Sequence, residues 1–241
     1  PIYIVGDFTR FLNPERNICM FDKRLNIFTG HFGSGKTEIA VNAAFSIKRA
    51  GFSTAIIDMD IVNPFFRTKD AQEALERSGI KVVAPAYANT NVDVPALPAE
   101  IYSFFGNKDM HVVMDIGGDD LGARVLSRYK KEIENEDYDM FIVINVKRPE
   151  TDSEGKIEEM VRMIEISSSL KATGLINNTN LMNHTTVEDV LKGEELISSV
   201  SKKLSIPFRI TAVMSSTVGS AGLTPDHELL VLDKYIKLPW E

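Results

Sequence analysis

Two hydrophobic rhythms alternate along the chain. Short, mostly apolar runs at 25–29, 54–57, 80–84, 111–114, 140–144, 172–176 and 206–210 read as strands of a sheet covered on both faces. Between them, apolar residues recur every three or four positions over 38–49, 70–78, 100–105, 121–133, 156–168 and 187–204, the spacing of helices with one buried face, the last segment reading as one helix or two. The first of these carries Ile39, Ala43 and Ile47 on one stripe and stops near Gly51, a natural helix terminator. Leu229, Leu232 and Ile236 predict one more helix over 226–236. Strands alternating with helices imply an α/β fold, a mostly parallel sheet with helices on both faces. Ahead of it, 2–5 and 18–21 read as short strands joined through Asn13-Pro14-Glu15, a hairpin extension over about 1–22. The stretch 85–98 is proline-rich and irregular.

The first predicted strand runs directly into Gly30-His31-Phe32-Gly33-Ser34-Gly35-Lys36-Thr37, and a helical pattern starts at Glu38. This is a complete phosphate-binding loop, the spacing at which backbone N–H groups turn inward on phosphates, a lysine reaches the β/γ oxygens and a hydroxyl meets Mg2+. It refines the fold class to the three-layer sandwich of P-loop nucleoside triphosphatases. Residues 1–241 are expected to form a single nucleotide-binding domain in which Gly30 to Glu38 line the ligand.

A phosphate loop needs an acidic partner for the metal and a group that orients water, both at the carboxyl ends of neighbouring strands. Two places qualify. Asp58-Met59-Asp60 ends one strand, and strand alternation lets only one of its two carboxylates face the nucleotide; Asp60 is the expected one. Asp115 ends another, as a buried carboxylate that a Mg2+ ion or its water would compensate, and Gly118 lets main chain approach the γ-phosphate. Catalysis is thus expected from Lys36, Asp60 and Asp115, and metal binding from Thr37, Asp60 and Asp115. Asn177 and Asn178 follow a strand on the same sheet edge. Asn177 suits either a base edge or an Asx turn, and Asn178 is read as a turn residue. Phe65 and Phe66 beside Asp60 are candidates for a lid or partner contact. His31 and the cations Arg124, Arg128 and Arg148 either reach a partner subunit or lie on the surface.

The chain has 241 residues, 44% apolar and 25% charged, enough for a large core. Its net charge of −7 argues against a general nucleic-acid surface. Cys19 is the only cysteine, which excludes an intrachain disulfide and fits a reducing, cytoplasmic setting. No apolar stretch is long enough to span a bilayer, and 226–240 mixes basic and acidic residues, so membrane attachment is not expected.

Together these segments resemble the MinD/ParA-type branch of P-loop ATPases, within the wider CobQ/CobB/MinD/ParA group, over nearly all the chain after Asp22. The resemblance implies ATP/ADP and Mg2+ as ligands. Asp58-Met59-Asp60 would be switch I, with Asp60 positioning water, Asp115-Ile116-Gly117-Gly118 would be Walker B and switch II, and Asn177 would contact adenine. It also implies a protein partner, or self-association as a nucleotide-dependent homodimer. His31 stands where most members carry a lysine that crosses to the partner's phosphates. Mg-dependent ATP binding and hydrolysis coupled to a conformational or partner switch is the resulting expectation. The alternatives are an ATP-dependent transferase or ligase acting on a small molecule, favoured by a pocket at 85–98, and a non-hydrolysing nucleotide-dependent adaptor.

Overall fold

The computed structural model describes residues 20–60, 71–83, 101–118, 120–215 and 227–236. Within them the elements run β1 (Leu25–Thr29), α1 (Lys36–Arg49), β2 (Ser53–Asp58), α2 (Gln72–Arg77), β3 (Lys81–Val83), α3 (Ile101–Gly106), β4 (Met110–Asp115), α4 (Asp120–Ser127), α5 (Lys130–Glu134), β5 (Tyr138–Ile144), α6 (Glu154–Ser168), β6 (Gly174–Asn177), α7 (Val187–Leu204), β7 (Phe208–Met214) and β8 (Glu228–Leu232). The strands form one eight-stranded sheet in the order β3-β2-β4-β1-β5-β6-β7-β8, and every described pairing is parallel. The expected three-layer α/β sandwich is present.

Strand alternation sorts the core into two layers. Leu25 and Ile27, Ala55 and Ile57, Val112 and Met114, and Met140, Ile142 and Ile144 face α3 to α7. Their neighbours Phe28, Ile56, Val113, Phe141 and Val143 face α1 and α2. Because successive side chains leave a strand on opposite faces, a strand covered on both sides must be largely apolar, and these are, apart from polar residues near their ends and the buried Asn26, whose amide donates to Lys23 O. Phe21, Phe28 and Phe141 close the α1 layer, with ring centroids 5.4 to 5.8 Å apart.

Two expectations about elements change. Residues 228–232 form a strand, not part of a helix. Leu230 and Leu232 are buried beside an exposed Val231, a two-residue rhythm, and β7 supplies hydrogen-bonding partners for the whole segment. The helix expected over 121–133 is two, α4 and α5, interrupted at Arg128 and Tyr129, where the N–H groups bond carbonyls three residues back and tighten the last turn. By contrast, 187–204 is one continuous helix. Its start is fixed by a reciprocal cap in which the Thr186 hydroxyl accepts from the Asp189 N–H while the Asp189 carboxylate accepts from the Thr186 N–H. The hairpin expected over about 1–22 lies outside the described residues except for 20–22, which are not strand.

Strand order places the site. β1 lies between β4 and β5, and the connections after β1 and after β4 leave toward opposite sides of it. The carboxyl end of β1 is therefore a topological switch point, where the flanking loops part and leave a crevice.

Candidate functional site

At that crevice the loop from Gly30 to Gly35 carries the chain from β1 into α1. Its glycines are demanded by geometry. A Cβ on Gly30 would lie 2.2 Å from the Val143 carbonyl oxygen. Gly33 and Gly35 hold φ of 76° and 84°, the left-handed region that side chains disfavour. Gly35 is also the N-cap of α1, and no side chain caps the helix there. The first N–H groups of α1 thus point into the crevice with the positive end of the helix dipole behind them, an anion-binding arrangement.

The structure brings Lys36, Thr37, Asp58, Asp60 and Asp115 together. Lys36 is 6% exposed and its Nζ lies 3.0 Å from Asp60 Oδ2. Burial works against its charge, but Asp115, Asp60 and Asp58 outweigh that and hold its pKa above the ordinary lysine value. Asp58 uses Oδ1 to accept the Asp60 N–H at 3.0 Å, so the first aspartate shapes the turn that aims the second. Register aligns Asp58 and Phe28 with Asp115, which brings the carboxyl ends of β2, β4 and β1 level at the crevice.

Asp115 is fully buried, and neither of its carboxylate oxygens accepts a well-formed hydrogen bond. Burial pushes its pKa up to about 8, against the pull of the Lys36 charge and the nearby Thr37 hydroxyl and with the repulsion of Asp58 and Asp60. Two unsatisfied oxygens in a buried crevice are costly unless a ligand meets them. Among the described residues no group of three or more His, Cys, Asp or Glu side chains is placed to hold a metal ion. Mg2+ at a nucleotide does not need such a cage, because one or two protein oxygens suffice when phosphates and water complete the octahedron. Asp115 with Thr37 fits that requirement.

Gly118 meets the phosphate loop from the β4 side, since a Cβ there would stand 1.6 Å from the Gly30 carbonyl oxygen. Asp60 packs beside Gly117, where a Cβ would sit 3.1 Å from Oδ1. Phe32 at the loop tip is 52% exposed, and His31 faces Glu150 at 3.9 Å. Glu38 accepts the N–H groups of Tyr235 (2.7 Å) and Ile236 (3.1 Å).

Asn177 is fully buried. Its Oδ1 accepts the Thr179 N–H and hydroxyl, and its Nδ2 donates to the Val190 carbonyl of α7, so the amide is engaged in an Asx turn and a tie to that helix. Its neighbour reaches the loop instead, as Asn178 Nδ2 donates to Ser34 O at 2.7 Å. Arg148 Nε donates to Gly33 O at 3.0 Å within the same subunit. Neither contact is foreshadowed by composition or spacing; an amide or cation in a loop at the right sheet edge is the only signal. Cys19, Phe65, Phe66 and 85–98 lie outside the described residues, as does any small-molecule pocket at 85–98.

No family model matches the sequence, and no curated protein does. Solved structures do. The chain is similar to the cell division protein FtsY of Thermotoga maritima, with 20% identity over 78% of this chain and 61% of that one, at a TM-score of 0.53. FtsY of Mycoplasma mycoides gives 18% identity over 86% and 65%, at 0.51. Chloroplast FtsY of Physcomitrella patens gives 17% over 78% and 57%, at 0.55. The chain thus spans less than two thirds of the length of each.

These findings correct two expectations. These three structures are FtsY proteins and not members of the MinD/ParA ATPase family. ATP/ADP as ligands and ATPase as activity rested on that resemblance and are set aside with it. The physical reason for the error is that loop, lysine, hydroxyl and strand-end aspartates all address phosphates and metal, which every nucleoside triphosphate shares. At identities of 20% and below, what the likeness shows is the fold: a parallel sheet with a phosphate loop at its switch point, as in the P-loop nucleoside triphosphatases.

Proposed function

We propose that the chain is a magnesium-dependent nucleoside triphosphatase whose nucleotide state governs contact with a protein partner. The observation that carries this reading is the unsatisfied, buried Asp115 carboxylate beside Lys36 and Thr37 at the uncapped head of α1. Thr37 and Asp115 would hold Mg2+, which when bound supplies a Lewis acid at the phosphoryl oxygens. The loop amides and Lys36 grip the terminal phosphates and stabilise the charge that spreads over them during transfer. Asp60, released from Lys36 by the incoming phosphate, is free to orient the attacking water. Asp60 and residues 115–118 follow strands that end at this crevice, so a γ-phosphate that repositions them presents a different surface to a partner.

With ATP set aside, GTP is the triphosphate for the test. Calorimetric titration should show Mg-dependent GTP binding by the wild type and loss of most of it in Lys36→Ala. Asp60→Asn should still bind GTP but turn it over more slowly in a single-turnover assay. Equal affinity in wild type and Lys36→Ala would remove the phosphate loop from the reading.

A further inference from the structure

We propose that Asn178 and Arg148 are positioning residues that preset the phosphate cradle by holding two successive carbonyls of its loop from outside, an inference that rests on the nucleotide reading above. Arg148 Nε holds Gly33 O at 3.0 Å, and Asn178 Nδ2 holds Ser34 O at 2.7 Å. The two side chains come from different loops, one after β5 and one after β6. In a trans peptide the C=O and the following N–H point in opposite directions. A side chain that fixes one pole therefore aims the other.

For the peptide after Gly33, the opposite pole is the Ser34 N–H, which closes the loop's inner turn onto His31 O at 3.0 Å. For the peptide after Ser34 it is the Gly35 N–H, which makes no hydrogen bond to the described residues and is turned away from Asn178. The glycines are matched to the side chains that brace them. A Cβ on Gly35 would stand 2.3 Å from Asn178 Nδ2, and one on Gly33 would stand 3.1 Å from Arg148 Nε.

Both braces are themselves anchored. The Asn178 N–H donates to Ile144 O at the end of β5, and its carbonyl accepts from Asn180 Nδ2. Arg148 sits in a turn closed by its own N–H to Asn145 O and by the Thr151 hydroxyl to the same oxygen. Asn145, fully buried, joins the two loops, since its Oδ1 accepts the N–H groups of Lys147 and Asn180 and its Nδ2 donates to Asn180 O. The carbonyls are thus held by a frame built without any nucleotide. A frame of this kind lowers the cost of organising the loop when phosphate arrives.

The test is calorimetric titration of the full chain and of Asn178→Ala, Arg148→Ala and Arg148→Lys with GTP plus Mg2+, GDP plus Mg2+ and inorganic pyrophosphate. Unfolding of each protein without ligand is measured in parallel. Each alanine variant should bind all three ligands about tenfold more weakly, the scale of one hydrogen bond. Arg148→Lys, which keeps a donor, should recover part of the loss. Wild-type affinity for pyrophosphate in both alanine variants overturns the inference and leaves the nucleotide reading intact. A fall in unfolding midpoint with unchanged affinities overturns it too, because the residues then only stabilise the fold. A loss confined to GTP and GDP, sparing pyrophosphate, assigns the residues to base contact and overturns it as well. If the wild type binds none of the three, the nucleotide reading fails and takes the inference with it.

Discussion

Gly118→Ala probes the contact between the β4 turn and the phosphate loop with one methyl group. The added Cβ would stand 1.6 Å from the Gly30 carbonyl oxygen, 2.3 Å from its carbon and 2.9 Å from the His31 nitrogen. All three are main-chain atoms, so no side chain can swing aside. Bringing the shortest contact out to 3.0 Å moves one loop against the other by about 1.4 Å. Overpacking of this kind costs about 1–3 kcal/mol, and a clash of main chain with main chain belongs at the upper end. For a domain of this size that is a fall of roughly 6–12 °C in Tm. The displacement also lands on the cradle itself, where misplacement by about 1 Å costs on the order of 100-fold in rate. Gly155→Ala is the control, because nothing lies within 4 Å of a Cβ there and the site is in α6. It should be neutral or stabilising by about 0.5–1 kcal/mol. Thermal unfolding and single-turnover GTP hydrolysis read both variants. Gly118→Ala with wild-type Tm and a rate within twofold of wild type would refute the contact as the structure draws it.

Asn42→Ala removes two bonds to the backbone of Asp233, each 2.9 Å, and should destabilise the chain by about 1–3 kcal/mol in urea unfolding. Thr186→Ala breaks the cap of α7 and should cost about 1 kcal/mol in the same assay, with α7 amides exchanging faster. Asp115 gives a pH dependence without ligand. Its folded pKa of about 8 lies above the ordinary 3.8, so between these values the folded chain keeps a proton that the unfolded chain has released. Stability drains away as pH rises through that window. The urea midpoint of the wild type should therefore drop between pH 5 and pH 8, and that of Asp115→Asn, which has no proton to lose, should drop less. Parallel curves for the two proteins would contradict the raised pKa.

How far the sequence reveals the fold depends on where each residue's energy comes from. The inner strands β1, β2, β4, β5 and β6 are legible because burial on both faces forces a mostly apolar run, which no surface element needs. β8 is not, because its apolar residues serve one face only and Leu229, Leu232 and Ile236 happen to fall at helical spacing. Its pairing with β7 decides, and that partner lies outside any local window. The phosphate loop and its aspartates are legible since the chemistry fixes residue type and spacing together. The nucleotide base is not, because none of those residues reads it. Asn178 and Arg148 escape as well. An amide and a guanidinium in loops have many uses, and only folding shows which carbonyl each one meets.

The helix that carries the phosphate loop is fastened by Glu38 and Asn42 to the backbone of residues 233–236, across 191 to 198 positions of sequence, with Phe45 stacked on Tyr235 at 4.5 Å. Contacts so distant form late, since the loop they close must first be drawn in. During synthesis, residues 30–49 leave the ribosome long before their clasp exists. A nascent chain therefore carries the whole nucleotide motif yet lacks the support behind its helix. On the proposed function, its grip on a triphosphate would mature only once the segment around Tyr235 has emerged and docked.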